Sequence, residues 1–100
     1  MFHLANNGYS MKFENGYTVS VRWHECTNYV SNRSMGTPGP YVGTWISKIK
    51  AMASNSVDAE VAVKDKAGNF LRTPFNEVDD VIGWQSPKQV LEIMNWTAGL

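Results

Sequence analysis

The chain has 100 residues, with nine basic and nine acidic side chains and a formal net charge of zero. A chain of this length can bury one hydrophobic core, so we expect a single domain over residues 1–100. The balanced charge argues against broad nucleic-acid binding, which requires a basic surface to neutralise phosphates. Cys26 is the only cysteine, which excludes an intrachain disulfide. No apolar run has the length of a membrane span and the first residues do not resemble a signal peptide, so we expect a cytosolic protein without a membrane partner.

The first strong pattern is a β-hairpin between Tyr9 and Trp23. Apolar and polar side chains alternate on both sides of Asn15-Gly16, as they do in two strands that share one buried face. The apolar positions of this pattern are Tyr9, Met11, Phe13, Tyr17, Val19, Val21 and Trp23. Before the hairpin, Asn6-Asn7-Gly8 is typical of a turn, so residues 1–8 are expected to lead into the first strand or to fray.

The register of this hairpin determines the length of its turn. A two-residue loop at Asn15-Gly16 would place Phe13 opposite Thr18, and this slip would send the apolar side chains to the wrong face. A three-residue loop from Glu14 to Gly16 pairs Phe13 with Tyr17 and gives the glycine the left-handed position that such a loop requires. We therefore predict the three-residue loop.

The middle of the chain is less regular. Residues 24–33 show no clean period, and the glycine- and proline-rich residues 31–43 predict a long loop, which in a small domain is often functional or mobile. Apolar residues at helical spacing between Thr44 and Ser54 predict a short helix, with the threonine as its N-cap.

A second hairpin is predicted between Val57 and Leu71. Its first strand alternates apolar and polar residues, and Asp65-Lys-Ala-Gly68 supplies the turn. The register stays open at this point. A loop of about four residues places Val63 opposite Phe70, whereas a loop of about three places it opposite Leu71.

The last third of the chain begins with residues 73–83, which predict a loop or a short edge strand, and ends with the clearest helix. Ser86 is the expected N-cap, Pro87 the first helical residue and Gln89 the partner in a capping box, while Gly99 suits the C′ position. The predicted apolar stripe of this helix consists of Val90, Leu91, Met94 and Ala98, with Ile93 beside it.

These elements predict an α+β fold. An antiparallel sheet of about four strands in two β-hairpins would be packed by the C-terminal helix, with a second, shorter helix elsewhere. The stripe of the C-terminal helix must cover an apolar surface, and the open face of the sheet is the available partner.

The residues that could carry catalysis or bind a metal do not form a recognisable set. His24 and Cys26 would point the same way on an extended backbone, but they lack the further ligands of a zinc site and the geometry of a catalytic pair. Glu77, Asp79 and Asp80 lack the spacing of a calcium loop. Since no nucleophile, base and orienting group are visible together, we expect no enzyme activity, no metal and no cofactor.

A binding function is better supported by the residue types. Residues 36–40 lack the lysine and the spacing of a Walker loop, but a flexible loop with polar and aromatic groups is suited to closing over a ligand. Arginine side chains would neutralise phosphate while an aromatic ring stacks on a base. The predicted ligand-binding residues are Arg22, Tyr29, Arg33, Thr37, Tyr41 and Trp84.

Three segments of the chain resemble a known group of proteins. Asn15-Gly-Tyr-Thr-Val-Ser-Val-Arg-Trp23, Ala59-Glu-Val-Ala-Val-Lys-Asp-Lys-Ala-Gly-Asn-Phe70 and Asp80-Val-Ile-Gly-Trp-Gln-Ser-Pro87, together with the closing helix, are similar to small accessory proteins of tailed phages. The resemblance covers most of the chain outside about residues 34–55. It implies a protein made in the cytoplasm of an infected bacterium that blunts host defences by binding, and it brings no catalytic residues.

Two binding functions follow as hypotheses. In the first, the protein is a homo-oligomer that sequesters a small anionic ligand, such as a defence-signalling nucleotide, at a subunit interface. In the alternative, it inhibits a host defence protein directly, through an aromatic patch or by strand addition at a free sheet edge.

Overall fold

The computed structural model describes residues 1–5, 8–23, 56–77 and 79–100. These residues form five β-strands and one α-helix, which confirms the α+β prediction. The elements are β1 (Phe2–Ala5), β2 (Gly8–Lys12), β3 (Thr18–Arg22), β4 (Ala59–Lys64), β5 (Ile82–Gln85) and α1 (Pro87–Ala98). The short helix predicted between Thr44 and Ser54 and the loop predicted over 31–43 lie outside the described residues.

The strands form one sheet in the order β1-β2-β3-β4-β5, with every neighbouring pair antiparallel. The strand count is therefore five rather than about four. The extra strands lie at the two edges: β1 precedes the predicted first hairpin, and β5 begins at Ile82, near the end of the segment 73–83 that predicts a loop or a short edge strand, and continues beyond it to Gln85.

The predicted second hairpin is only partly formed. After its turn, the returning segment makes a single bridge between Lys64 and Phe70, and β5 instead pairs with β4 from Ala59 to Val61. The returning segment then leaves the sheet, and β5 occupies the edge beside β4.

Both hairpin turns contain three residues between the paired positions. In the first turn the Phe13 amide donates to Tyr17 O at 2.9 Å, and Gly16 has φ 90°, as the register predicted. In the second turn the Asp65 amide donates to Asn69 O at 2.8 Å. The Leu71 amide donates to Val63 O at 2.8 Å, which settles the open register in favour of the shorter loop.

The core lies between α1 and one face of β3, β4 and β5. Alternation along the strands places apolar side chains on this face, and the helix covers them. Its buried side chains are Val19, Val21, Ala59, Val61, Val63, Ile82, Val90 and Ile93. Contacts between α1 and the sheet involve β3, β4 and β5 and neither β1 nor β2, so the helix covers only part of the sheet.

The start of α1 is as predicted, but its buried face agrees only in part: Val90 is buried and Met94 packs against the core, as predicted, whereas other positions differ. The Ser86 amide donates to Gln89 Oε1 at 2.8 Å and the Gln89 amide donates to Ser86 Oγ at 3.3 Å, forming the capping box. The buried positions are Val90, Ile93 and Thr97. The threonine is accommodated because its hydroxyl donates to the carbonyl of Ile93 at 2.8 Å.

Two other details of α1 differ from the prediction. Leu91 is 56 % exposed and Ala98 is also exposed, because the helix is rotated so that Ile93 faces the sheet at the centre of the stripe rather than beside it. Gly99 caps the helix with φ −88°, so this position does not use the left-handed conformation that glycine permits. The described residues include no helix with the length and hydropathy needed to span a bilayer.

Candidate functional site

Two of the six predicted ligand-binding residues, Arg22 and Trp84, lie in the described part of the chain. The other four lie outside the described residues: Tyr29, Arg33, Thr37 and Tyr41. The predicted site is therefore described only on the sheet, where its two residues occupy strands on either side of β4.

Arg22 is a half-buried residue at the end of β3. One nitrogen of its guanidinium, Nη1, donates to Tyr9 O at 2.7 Å and to Val21 O at 3.1 Å. This side chain therefore helps to hold β2 against β3. Glu60 is its direct partner on β4, and a carboxylate at this position disfavours an anion bound beside the arginine.

Trp84 lies on a β-bulge in β5. Ala59 pairs with Gln85 and Val61 pairs with Ile82, so two residues of β5 stand opposite the single residue Glu60. Trp84 has φ 53°, which is a left-handed backbone conformation that a bulky L-residue rarely adopts. A conformation of this kind costs on the order of 1–3 kcal/mol and is found mainly at functional sites.

The strain at Trp84 does not serve to bury the indole ring. The side chain is 59 % exposed, so a large aromatic surface faces solvent. Exposed tryptophans of this kind are enriched among the residues that dominate protein–protein binding energy. The bulge therefore presents the ring instead of hiding it.

A shallow cleft of about 130 Å³ lies beside this ring, and we call it the Trp84 cleft. Its lining residues are Phe75, Glu77, Val81, Ile82, Gly83, Trp84 and Gln85. Glu77 is the only charged residue among the described residues of that lining. The cleft thus combines aromatic surface with one carboxylate.

Phe75, on the far side of the cleft, is held in place from two directions. Its ring packs edge-on against Trp96 of α1, with 6.0 Å between the ring centroids and an interplanar angle of 84°. Its amide donates to Thr73 Oγ1 at 3.1 Å, and this hydroxyl donates in turn to Asn76 Oδ1 at 2.7 Å. The cleft is therefore bounded by a hydrogen-bonded turn and not by a loose side chain.

Sequence reasoning identified Trp84 but missed Phe75 and Glu77 as its neighbours. The signal was present in Thr73-Pro-Phe-Asn76, since threonine and asparagine at this spacing favour local side-chain to backbone hydrogen bonds. The position of Phe75 and Glu77 beside the tryptophan depends on how this segment folds back along β5, which no local sequence pattern specifies.

A larger open cavity of about 480 Å³ lies between the first turn of α1 and the nearby ends of β3 and β4. Tyr9, Trp23 and Met94 contribute apolar surface to it. Ser56 and Asp58 provide polar groups, but these are bonded to each other: the serine hydroxyl donates to Asp58 O at 2.7 Å and accepts from the Asp58 amide at 3.3 Å. The cavity supplies apolar contact area without a clear chemical preference.

No group of three or more histidine, cysteine, aspartate or glutamate side chains comes together within the described residues to hold a metal ion. In the acidic segment, Asp79 Oδ1 accepts from the Val81 amide at 3.0 Å, so this carboxylate stabilises a local turn. His24 and Cys26 lie outside the described residues.

Comparisons with protein-family models, with curated proteins and with solved structures found no match. The resemblance to phage accessory proteins therefore rests on the sequence segments alone.

Proposed function

We propose that this protein is a non-catalytic phage accessory protein that counters host defence by binding a host protein through the Trp84 cleft. In this proposal it acts in the cytoplasm of the infected cell. The phage origin is supported by the resemblance of three sequence segments. The contact surface is supported by one observation, the exposed indole of Trp84 on a bulge with a left-handed backbone.

The lining of the cleft indicates the chemistry of the partner. Trp84 and Phe75 offer aromatic surface, and Glu77 contributes a negative charge to the described part of the lining. A complementary segment would insert an apolar side chain and place a lysine or arginine near the carboxylate, since the guanidinium and ammonium groups also stack favourably on aromatic rings.

Sequestration of a signalling nucleotide stays a prediction. Four of its six predicted residues lie outside the described part of the chain. Of the two others, Arg22 already donates to strand carbonyls, and Glu60 lies between the arginine on β3 and Trp84 on β5. A nucleotide bound along this row would place its phosphates near a carboxylate.

Self-association into a homo-oligomer is also part of the proposal. It was expected from sequence because a small protein that holds a ligand at a shared surface must bring two copies together. It would equally increase the avidity of a protein that binds a host target.

Co-purification from infected cells tests the proposed function. Tagged wild-type protein is expected to retain a defined host polypeptide, which mass spectrometry identifies and which is then titrated against purified variants. Trp84→Ala is expected to weaken this binding by about thirtyfold or more, since hot-spot tryptophans contribute at least about 2 kcal/mol. Leu91→Ala is the matched control, because this residue is a large apolar side chain of similar exposure on α1.

Trp84→Gly separates binding from folding. Glycine adopts φ 53° without strain, so this variant is expected to be at least as stable as the wild type while losing the partner. Equal affinity of wild type and Trp84→Ala for the host polypeptide would show that the cleft is not the contact surface. Retention of a nucleotide without a polypeptide would instead favour sequestration.

A further inference from the structure

The outer side of β1 is an unpaired sheet edge in the described part of the chain. β1 is the first strand in the sheet order, and β2 is its only neighbour among the described strands. Natural proteins usually protect such edges with charges, prolines, bulges or short strands. β1 is short, at four residues, but its sequence, Phe-His-Leu-Ala, contains no lysine, glutamate, proline or glycine.

The hydrogen-bond pattern shows which backbone groups point outward. The Met1 ammonium donates to Lys12 O and the Lys12 amide donates to Met1 O, both at 2.8 Å. Bonded and non-bonded pairs alternate along an antiparallel ladder, so the next bonded pairs are those of His3 and Ala5. The amide and carbonyl groups of Phe2 and Leu4 therefore point away from β2.

The side chains of the same two residues are also unusually exposed. Phe2 is 76 % exposed and Leu4 is 94 % exposed. Their cross-strand partners are Met11 and Tyr9, whose own partners on β3 include the buried Val21, so both side chains lie on the face of the sheet that carries α1. Helix α1 does not contact β1, so among the described elements nothing covers this end of the apolar face.

We propose that β1 pairs antiparallel with β1 of a second copy, around a two-fold axis at His3. This inference deepens the self-association proposed above and is independent of the Trp84 cleft. In this register Phe2 forms a hydrogen-bonded pair with Leu4 of the partner subunit, and Leu4 pairs with Phe2 of the partner subunit. The outward amides and carbonyls of both copies are thereby satisfied, and the two sheets become continuous.

The strand is self-complementary, which favours a second copy over an unrelated strand. A two-fold interface requires the same surface to fit itself. When two copies of Phe-His-Leu run antiparallel, each Phe2 lies opposite a Leu4, so apolar side chains face each other at both positions. β1 contains no acidic or basic residue other than the histidine at the axis. Since both copies keep α1 on the same face of the joined sheet, the exposed Phe2 and Leu4 side chains adjoin one another between the helices.

Directed disulfide formation tests the register. At the axis, His3 would face His3 of the partner subunit as a non-hydrogen-bonded pair, with Cα atoms about 4.5 Å apart, which suits a disulfide. In a Cys26→Ser background, His3→Cys is therefore expected to form a covalent dimer under mild oxidation. Ser10→Cys is the matched control, because Ser10 lies opposite His3 on β2. In the proposed dimer the Cα atoms of the two residues at position 10 would be about 14 Å apart, which is three strand spacings and too far for a disulfide.

Sedimentation over a concentration series provides a second test without cysteine changes. Leu4→Pro removes the outward amide hydrogen and leaves the ladder between β1 and β2 intact, so we expect loss of the dimer with an unchanged circular dichroism spectrum. Trp84→Ala is expected to dimerise like the wild type. If the wild type associates but the two cysteine variants cross-link equally, the subunits meet elsewhere. The same conclusion follows if the wild type associates and Leu4→Pro does not weaken the association. A wild type that stays monomeric at every concentration would overturn self-association itself.

Discussion

The two turns at the same end of the sheet have matching backbones and different surroundings. In each, the glycine amide donates to the carbonyl three residues earlier, at 2.9 Å for Gly16 and 3.0 Å for Gly68. Their φ angles are 90° and 86°. The turns also lie side by side, because a Cβ added at Gly16 would be 2.9 Å from Lys66 Cγ in the second turn. A Cβ added at Gly68 would meet nothing within 4 Å.

The first turn is tied to the end of α1. Asn15 Nδ2 lies 2.9 Å from Thr97 O and 3.2 Å from Leu100 O, and its Oδ1 accepts from the Tyr17 amide at 3.0 Å. The last carbonyls of a helix have no partners from a following turn, and the asparagine adds a donor to Thr97 O, which also accepts from the Leu100 amide at 3.2 Å.

The second turn depends on its own residues. Asp65 Oδ1 accepts from the amides of Ala67 and Asn69, both at 2.9 Å. The same turn conformation can therefore either reverse the chain locally or connect elements that are distant in sequence. The difference lies in one side chain: Asn15 bonds to the end of α1, whereas Asp65 accepts from amides of its own turn.

The largest effect is expected from Asn15→Ala. This change removes the side-chain bonds to Thr97 O, to Leu100 O and from the Tyr17 amide, each worth roughly 0.5–1.5 kcal/mol, so we expect a loss of about 2–3 kcal/mol in the free energy of unfolding. Urea denaturation measures it. Asn15→Asp should be no better, because a carboxylate would face carbonyl oxygens at the negative end of the helix dipole. If Asn15→Ala lowered the free energy of unfolding by less than Asp65→Ala does, the contact between the first turn and α1 would not contribute to stability.

A smaller effect is expected from Gly16→Ala. The left-handed backbone should destabilise the protein by about 1–2 kcal/mol, and Lys66 must also move away from the new methyl group. Gly68→Ala meets only the first of these penalties. In a Lys66→Ala background the two alanine variants should therefore become equally stable, as judged from urea midpoints. An unchanged difference between them would show that the lysine does not restrict the first turn.

The smallest effect is expected from Asp65→Ala, at about 1 kcal/mol, because the lost hydrogen bonds are local and exposed. Thermal unfolding followed by circular dichroism measures it. Asp65→Asn retains an acceptor oxygen and should restore most of the lost stability. If the asparagine variant were as unstable as the alanine variant, the turn would depend on charge rather than on the acceptor.

Local chemistry accounts for what the sequence predicted correctly. The alternation from Tyr9 to Trp23 specified the register of the first hairpin, and Ser86-Pro87 with Gln89 specified the start of α1. Such patterns act over a few residues, so one sequence contains enough information to read them.

Most of the errors have tertiary causes. Thr97 is the exception: its hydroxyl donates to the Ile93 carbonyl one turn earlier, and this local bond allows a polar side chain on the buried face of α1. Asn15 suited a turn by its type, but the helix carbonyl that it contacts is 82 residues away. The bulge at Trp84 depends on the pairing of β5 with β4, which replaced the expected second strand of the hairpin.

The central strand pair has a consequence for the kinetics of folding. β3 and β4 supply Val19, Val61 and Val63, three of the five large side chains that are fully buried in the described part of the chain, and their register joins Arg22 to Glu60 across more than a third of the chain. The N-terminal hairpin can close early, yet it has no lasting partner until β4 arrives. We therefore expect a rate-limiting nucleus of high contact order at the junction of these two strands, and a fragment of residues 1–23 that does not hold its shape in isolation.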